Sequence, residues 1–587
     1  MNQELHRILL RSGFRYTPAK QMPDKILLDT QDRRKGYYVK EYSTHGGVFS
    51  IALILQNDPY VQLPFAYILQ IPDQYKGRLL PHINFGCFLC YVTQMEADWN
   101  SNNLDDTYCD VDKQIQLTLN NAVASAERGD PNDRELEGEF SAYWQSEDNL
   151  YLLTRPTKKA SLTTMLAESE LSNGNTYREY ISVTSTQKKE REELAKWLIQ
   201  RGFNERSLKE QSISTHYISV RPTRLAGLNW PPKNIREVLI WLKQVDHSAR
   251  DHVANSLISK QLKRHLLLFD VEGQDELAIY LELNAAAVSY RRHSKNASKK
   301  SSMQHLIAKL SGKQACNQFK RLSVIRADRD TLLSRNLPRP NIGNLSKKRI
   351  ALIGCGTIGS YIAGLLLRSG AGCGDKYWHL YDNDTFSPHN FARNALTAHD
   401  FGKYKATALA ENLMQSVHIA NNIKGIDTQF PIKSNILEKY DVIIDATGRP
   451  PVSKRLAAVV RTVQPEKRPV IIHAFNDGNG RASKVLVDNG DCCYGCMTSD
   501  PANYRNGIDL RFTNIDQEKE RKISCGSTYT PYDAAVSHIT AALAQEAALN
   551  TLEQVLPWNY SEHMLDGSRS KKPRILKHNS NCSICNE

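Results

Sequence analysis

Three β-rich runs of apolar, aromatic and β-branched residues stand near the start of the chain, at Tyr37–Tyr42, Val48–Leu55 and Phe65–Ile71. Turn formers separate them, Thr44-His45-Gly46-Gly47 and Asn57-Asp58-Pro59, and the pattern predicts an antiparallel meander. The period then changes. Ile115, Leu119, Ala122, Val123 and Ala126 recur at helical spacing and predict a helix over Val111–Ala126, which Gly129, Pro131 and Asn132 bring to a stop. Through the middle third the pattern predicts strands at Tyr151–Thr154, His216–Val220, His265–Asp270 and Leu277–Leu283, with helices at Lys188–Gln200 and Asn234–Lys243. In the last part short apolar runs and helical stretches alternate. Lys348–Ile353, Tyr377–Tyr381, Val442–Asp445 and Val470–His473 read as strands, and Thr357–Arg368, Lys403–Gln415 and Ser453–Val463 as helices. Alternation of this kind predicts a parallel, doubly wound sheet.

With 587 residues the chain is long enough for three or four domains. Apolar residues at 41% and charged residues at 24% exclude a disordered or fibrous protein. Lys+Arg 76 against Asp+Glu 63 leaves an excess of +13, which suits an anionic partner such as a nucleotide, an acidic protein surface or nucleic acid. Tyr290–Ser302 concentrates Arg291, Arg292, Lys295, Lys299 and Lys300 without interleaved aromatics, so it reads as a solvated loop and nucleic acid is not the expected partner. Apolar runs fall far short of the ~20 residues that span a bilayer, and Met1–Phe14 is too polar for a signal sequence. The expected location is the cytoplasm, with no membrane partner. The 12 cysteines then point to metal or thiol chemistry and not to a disulfide framework, with Cys109, Cys316, Cys355 and Cys373 as packing residues.

Gly354-Cys-Gly356-Thr-Ile-Gly359 follows a predicted strand and opens a predicted helix. Glycines there allow a tight turn and close backbone approach to phosphate, and the helix N-terminus presents unpaired N–H groups. Asp382, at the end of the next strand, stands in position to accept from ribose hydroxyls. The continuation has no counterpart in a nicotinamide site: Asp382-Asn-Asp384, His389-Asn390-Phe-Ala-Arg393, Gly402-Lys-Tyr-Lys405, then Asp445-Ala-Thr447. Arginine and lysine converging on a phosphate chain serve adenylation, where charge builds on the α-phosphate and the departing pyrophosphate. In these motifs the chain resembles the ThiF/MoeB and ubiquitin-activating adenylation family. The resemblance implies ATP and Mg²⁺, with Gly354, Gly356 and Gly359 at the nucleotide, Asp382 and Asp384 at the ribose, and Asn390, Arg393 and Lys405 at the phosphates. The family's pattern D-x-T-D-N is here Asp445-Ala-Thr-Gly448-Arg449, so its metal carboxylate is missing and Asp445 is the candidate substitute. The resemblance also implies a homodimer through this domain, with Arg335 as the match to an arginine that reaches across the interface.

Cys493-x-x-Cys496 and Cys582-x-x-Cys585 have the local spacing of a closed tetrahedral Zn²⁺ site. ThiF-like proteins have a matching site. Cys525 lies in a loop just before a helix, where a depressed pKa would favour a thiolate; in ubiquitin-activating relatives a cysteine in this region takes the acyl group from AMP. In the N-terminal part, Pro81-His82-Ile-Asn84-Phe-Gly86-Cys87-Phe-Leu-Cys90-Tyr91 follows the meander and precedes the helix. This order resembles ubiquitin-conjugating domains, and Leu-Cys-Tyr with Tyr143-Trp144 resembles their bacterial relatives. The family's cysteine comes three residues after the glycine, whereas Cys90 comes four after Gly86. Cys90 is the expected nucleophile and Cys87 its rival, with His82 and Asn84 shaping the loop or contacting a thioester oxyanion.

The expected architecture is an α/β and α+β multidomain chain. It comprises a ubiquitin-conjugating-like α+β domain over residues 1–155, a mixed linker domain over 156–330 and a doubly wound, Rossmann-like ThiF domain over 331–587. As a whole the chain resembles the fused activating and conjugating proteins of bacterial CBASS anti-phage operons. The resemblance implies activation of a protein C-terminal carboxylate, relay through Cys525 and Cys90, and conjugation to a target amine. The conjugated protein it implies is a cGAS/DncV-like nucleotidyltransferase. Two other readings stay open here: a biosynthetic adenylyltransferase acting on a sulfur-carrier protein, and a non-enzymatic nucleotide-dependent scaffold.

Overall fold

The polypeptide gathers into two compact units, Met1–Thr186 with Arg206–Arg326, and Gln187–Glu205 with Ala327–Glu587. The computed structural model describes residues 3–21, 36–84, 87–130, 135, 142–157, 161–170, 176–184, 188–203, 213–224, 228–259, 262–284, 299–334, 341–524 and 527–586.

In the first unit, β1 (Arg15–Thr17), β2 (Tyr37–Thr44), β3 (Gly47–Ile54), β4 (Phe65–Gln70) and β5 (Phe88–Leu89) pair antiparallel in chain order, so the meander forms as expected and gains a strand at each edge. Successive strand residues point to opposite faces. Tyr38, Phe49, Ile51, Leu53 and Ile68 pack against Val111, Ile115, Leu119 and Ala122 of the helix Leu104–Arg128, whereas Tyr37, Val39, Ala52, Ile54 and Tyr67 form a smaller cluster on the other face. The helix starts before the apolar period does, because the Asn103 side chain caps the Asp106 N–H and Asp105 and Asp106 favour its positive end. It stops at Gly129, which takes the left-handed cap conformation.

Seven further strands close a barrel in the order β10-β11-β12-β6-β8-β7-β9. They are β6 (Asp148–Leu152), β7 (Leu162–Glu170), β8 (Thr176–Thr184), β9 (Ile213–Val220), β10 (Arg264–Val271), β11 (Leu277–Leu283) and β12 (Cys316–Arg326). Leu150, Leu152, Tyr180, Leu266, Leu268 and Leu322 form one cluster, while Leu267, Phe269, Ile279 and Leu281 pack with the helices Ile235–Val245 and His247–Ser259. Both faces of β10 are therefore buried, which is why its run reads as continuously apolar. Trp144 belongs to this barrel and not to the first sheet: it is 2% exposed and its indole N–H donates to the Ala278 and Leu322 carbonyls.

The second unit carries a seven-stranded sheet with β13 (Ile350–Ile353), β14 (Trp378–Tyr381), β15 (Ile423–Ile426), β16 (Val442–Asp445), β17 (Val470–Asp477) and β18 (Ala482–Asp488) in the order β15-β14-β13-β16-β17-β18, ending on the strand Tyr560–Met564. The first five strands are parallel and the last two antiparallel. Leu352, Ile444 and Ile472 face the helices Thr357–Arg368, Lys405–Ser416 and Ala534–Asn550, and their neighbours Ala351, Ile443 and Ile471 face the helix Pro450–Arg461. Each fully buried aliphatic side chain contributes roughly 1.5–3 kcal/mol, so the two faces together fix the sheet. The helix Lys188–Gln200 also belongs to this unit. Lys196 Nζ donates to the Ala420 carbonyl and to Asn421 Oδ1, at 2.8 and 2.7 Å, and Trp197 meets His418 edge-on at 5.1 Å.

Candidate functional site

From β13 the chain builds outward to β14 and β15 on one side, then crosses to lay β16 on the other. A crevice opens at such a reversal, beyond the C-terminal ends of β13 and β16. Gly354 has a φ of +90°, and a Cβ at Gly359 would stand 1.8 Å from the Gly354 carbonyl oxygen. Only glycine lets the helix Thr357–Arg368 begin so close to the turn. At Gly356 an added Cβ would meet nothing within 4 Å, so the space over the helix N-terminus is open to a ligand. A cavity of about 720 Å³ occupies the crevice, lined among others by Gly354, Asp382, Asp384, Lys405, Phe430 and Thr447.

The acidic residues are held by backbone. Asp382 accepts from the Cys355 N–H at 2.7 Å and from the Asp384 N–H at 2.9 Å, which fixes its carboxylate at the rim. Lys405 is buried with its ammonium on the Asp384 carboxylate, and its N–H donates to the Asp384 carbonyl. Asn390 Oδ1 accepts from the Ser387 N–H and so caps its own turn. Arg393 donates from Nη1 to the Thr530 carbonyl at 2.9 Å, with its guanidinium 4.5 Å from the centre of the Tyr532 ring. Thr530 and Tyr532 line the cavity, so Arg393 supports its wall.

Asp445 departs from its expected role. Its side chain is 1% exposed, and its oxygens accept from the Thr447 N–H and hydroxyl, the Ser453 hydroxyl and His473 Nδ1. Burial acts to raise its pKa, but His473 and the two hydroxyls outweigh burial and hold the carboxyl below its ordinary range. Already saturated by protein donors, it is a buried brace and not a carboxylate offered to the cavity. The carboxylates that line the cavity are Asp382, Asp384 and Asp477, and hard cations such as Mg²⁺ take oxygen donors of this kind. Asp477 was not legible in the sequence; the signal available was the Asp477-Gly-Asn-Gly480 turn at the end of a strand. Behind it, Lys484 is 0% exposed and donates to Asp477 at 2.5 Å, Asp509 at 2.6 Å and the Tyr504 hydroxyl at 3.1 Å. This pins the rim to the segment that leads toward Cys525.

Cys525 and Arg335 lie outside the described residues. The flanks of Cys525 are described: Lys522–Ser524 pairs antiparallel with Ser527–Tyr529. Before this hairpin Glu520 is paired with Arg481 at 2.7 Å; after it Thr530 is held by Arg393.

Cys493, Cys496, Cys582 and Cys585 come together with all four Sγ atoms within 4.8 Å of one another. Neighbouring sulfurs are 3.2–3.7 Å apart, close to the roughly 3.8 Å between thiolates around one tetrahedral zinc. The Cys496 N–H donates to Cys493 Sγ, and a Cβ at Gly495 would come 2.8 Å from Cys582 Sγ, so the local chain is shaped around the cluster. Donor type, number and spacing fit zinc.

In the first unit the loop before Cys90 is tightly stitched. The Cys90 N–H donates to the His82 carbonyl at 2.8 Å, and Asn84 Oδ1 accepts from the Phe88 N–H at 2.9 Å. His82 Nε2 lies 2.7 Å from Glu135. His82 and Cys87 both have left-handed backbones, with φ of 62° and 61°, each a cost of order 1–3 kcal/mol that the surrounding bonds must sustain. The Cys87 carbonyl accepts from the Ile68 N–H and its side chain packs against the core. Cys90 is exposed. A cavity of about 490 Å³ begins at the next residue, Tyr91, and is lined by Leu63, Trp99, Asp98 and Asp106 among others.

A family model described as prokaryotic E2 family B matches residues 10–153, and one described as ThiF family matches residues 328–584. The ATP-dependent ubiquitin transferase-like protein Cap2 of Vibrio cholerae serotype O1 is 70% identical over 587 residues, 100% of either chain. Its namesake from Escherichia coli strain TW11681 is 52% identical over 584 residues, 99% of either chain. A solved structure of E. coli MccB with ATP covers 41% of this chain and 67% of its own at 18% identity with a TM-score of 0.31.

Proposed function

The chain belongs to the Cap2 family of ATP-dependent ubiquitin transferase-like proteins, and from that membership we propose how its residues divide the work. The ThiF part adenylates and the E2-like part conjugates. The substrate is a protein with a free C-terminal carboxylate, here a cGAS/DncV-like nucleotidyltransferase. Its carboxylate oxygen attacks the α-phosphorus of ATP, the bond to the bridging oxygen breaks, and pyrophosphate leaves with the electron pair. Asp382 holds the ribose, the glycine turn and Lys405 hold the phosphates, and Asp384 and Asp477 offer oxygens to the Mg²⁺ that accompanies ATP. The Cys525 thiolate displaces AMP, the Cys90 thiolate takes the acyl group from Cys525, and an acceptor amine displaces Cys90 to leave an amide. Zinc at the four clustered cysteines fastens the C-terminal tail.

One observation carries this reading. The cavity at the sheet reversal and the paired strands Lys522–Ser524 and Ser527–Tyr529, which flank Cys525 in sequence, share a rim, since Arg521, Thr530 and Tyr532 line that cavity on either side of this pair. Exposure favours Cys90 over the core-packed Cys87 as the second nucleophile. The reading divides the chain into a conjugating-like domain to residue 155, whose last strand Asp148–Leu152 pairs into the barrel, a barrel domain to 330 and an adenylation domain beyond, to which the helix Lys188–Gln200 is added. It also includes a homodimer through the adenylation domain and a cytoplasmic location.

Intact mass measurement with ATP and the protein substrate, with and without reductant, tests the relay. Cys90→Ala should accumulate a reductant-sensitive adduct on Cys525, and Cys525→Ala should leave acyl-AMP formation intact with both thiols unloaded. Normal conjugation by Cys90→Ala together with failure of Cys87→Ala would move the role to Cys87.

A further inference from the structure

Adenylation must manage the charge of a departing pyrophosphate, and each cation expected at the cavity from the sequence has a partner within the protein that a nucleotide would have to share. Lys405 is paired with Asp384, and Arg393 is on the Thr530 carbonyl and the Tyr532 ring. Arg449 is different. It lines the cavity with an exposed side chain that makes no hydrogen bond or ion pair among the described residues. Its main chain is fixed: the N–H donates to Thr447 Oγ1 at 3.2 Å, and the carbonyl accepts from the Val452 N–H at 3.0 Å.

The strand order gives its place. Asp382 ends β14, the glycine turn ends β13, and Ala446–Arg449 leads out of β16, so the three stand in sequence across the sheet edge. The turn and this segment touch, since a Cβ at Gly354 would lie 3.2 Å from the Ala446 carbonyl. A nucleotide anchored by its ribose at Asp382, with phosphates over the glycine turn, therefore extends toward Arg449. The helix that follows, Pro450–Arg461, has prolines in its first two positions, which carry no N–H. It cannot offer the usual amide donors to an anion there, and a guanidinium at its cap supplies donors in their stead.

We infer that Arg449 binds the β- and γ-phosphates of ATP, the part that departs as pyrophosphate. The inference rests on the adenylation reading. The test is calorimetric titration of the full-length protein with ATP and, separately, with AMP, for the unaltered protein, Arg449→Ala and Arg449→Lys. Arg449→Ala should weaken ATP by at least about tenfold, the loss of one charge-assisted contact, and AMP by less than about twofold, with Arg449→Lys in between. Because the side chain makes no hydrogen bond or ion pair among the described residues, the melting curve should move little. Equal losses for ATP and AMP, or no loss, would overturn the assignment. So would unchanged ATP affinity with a raised KM for the protein substrate, which would give the guanidinium to the substrate carboxylate. Should the unaltered protein itself fail to bind ATP, the adenylation reading is what falls, and this assignment falls with it.

Discussion

A buried ammonium against an exposed carboxylate is an asymmetric pair, and Lys405 with Asp384 is such a pair, their side chains 7% and 65% exposed. Removing the lysine leaves a carboxylate that water can solvate, so the fold should survive while the phosphate contact is lost. Lys405→Ala is expected to slow pyrophosphate release by two or more orders of magnitude, about 3 kcal/mol of transition-state stabilisation, with melting little changed. Glu562 is the opposite case. Its side chain is 0% exposed, and it accepts from both Nη atoms of Arg511 at 2.8 Å and from the Tyr560 hydroxyl at 2.7 Å. Burial raises its pKa, but Arg511, Tyr560 and the Lys571 N–H outweigh burial and bring it from 4.5 down to about 2. A pKa lowered on folding stabilises above the unfolded value, and that stability is lost as pH falls from about 4.5 through about 2. The melting temperature should fall across that window by an amount on the order of 3 kcal/mol in stability, and Glu562→Gln should flatten the dependence.

Two elements are held by local chemistry more than by apolar burial. In the turn from β13 to its helix, Gly359→Ala should abolish ATP binding in an equilibrium titration, because the added methyl would fall 1.8 Å from a carbonyl oxygen that cannot move without opening the turn. Around the four cysteines the tail Asn579–Asn586 is joined to the helix Tyr494–Thr498 chiefly through sulfur. Metal binding and folding are coupled at such a closed site. Cys493→Ser is expected to lower zinc below about half an ion per chain by elemental analysis and to raise hydrogen exchange in that tail before it rises in the sheet.

Over the whole molecule, the second unit is discontinuous: the chain contributes Gln187–Glu205 to it, leaves to complete the barrel, and returns at Ala327. The excursion brings Glu193, whose side chain is 7% exposed, onto Arg329 at 2.9 Å, and Lys196 and Trp197 onto the segment His418–Asn421. A fragment starting at Ala327 would leave Arg329 and His418 without these partners. It is expected to melt several degrees below the same unit in the intact protein, and a peptide spanning Lys188–Gln200 added in trans should restore part of the difference by calorimetry.

Local spacing by itself determined the glycine turn, the carboxylate Asp382 at the end of the next strand, the four clustered cysteines, the meander and the alternating strands and helices of the last domain. Each depends on neighbours in sequence or on a two- or 3.6-residue period. The barrel was the part least legible. Leu162–Glu170, with Leu, Met, Ala and Glu, has the composition of a helix, and Cys316–Arg326 is too polar to read as a buried strand, yet ladders to β8 and β11 hold both extended. Only the tertiary structure decided that Asp445 turns inward to His473, that Asp477 and Arg449 reach the cavity at the sheet reversal, and that the helix Lys188–Gln200 serves the second unit. These facts depend on which strand ends lie side by side, and strand order is set by packing over the entire sheet, which no local window of sequence contains.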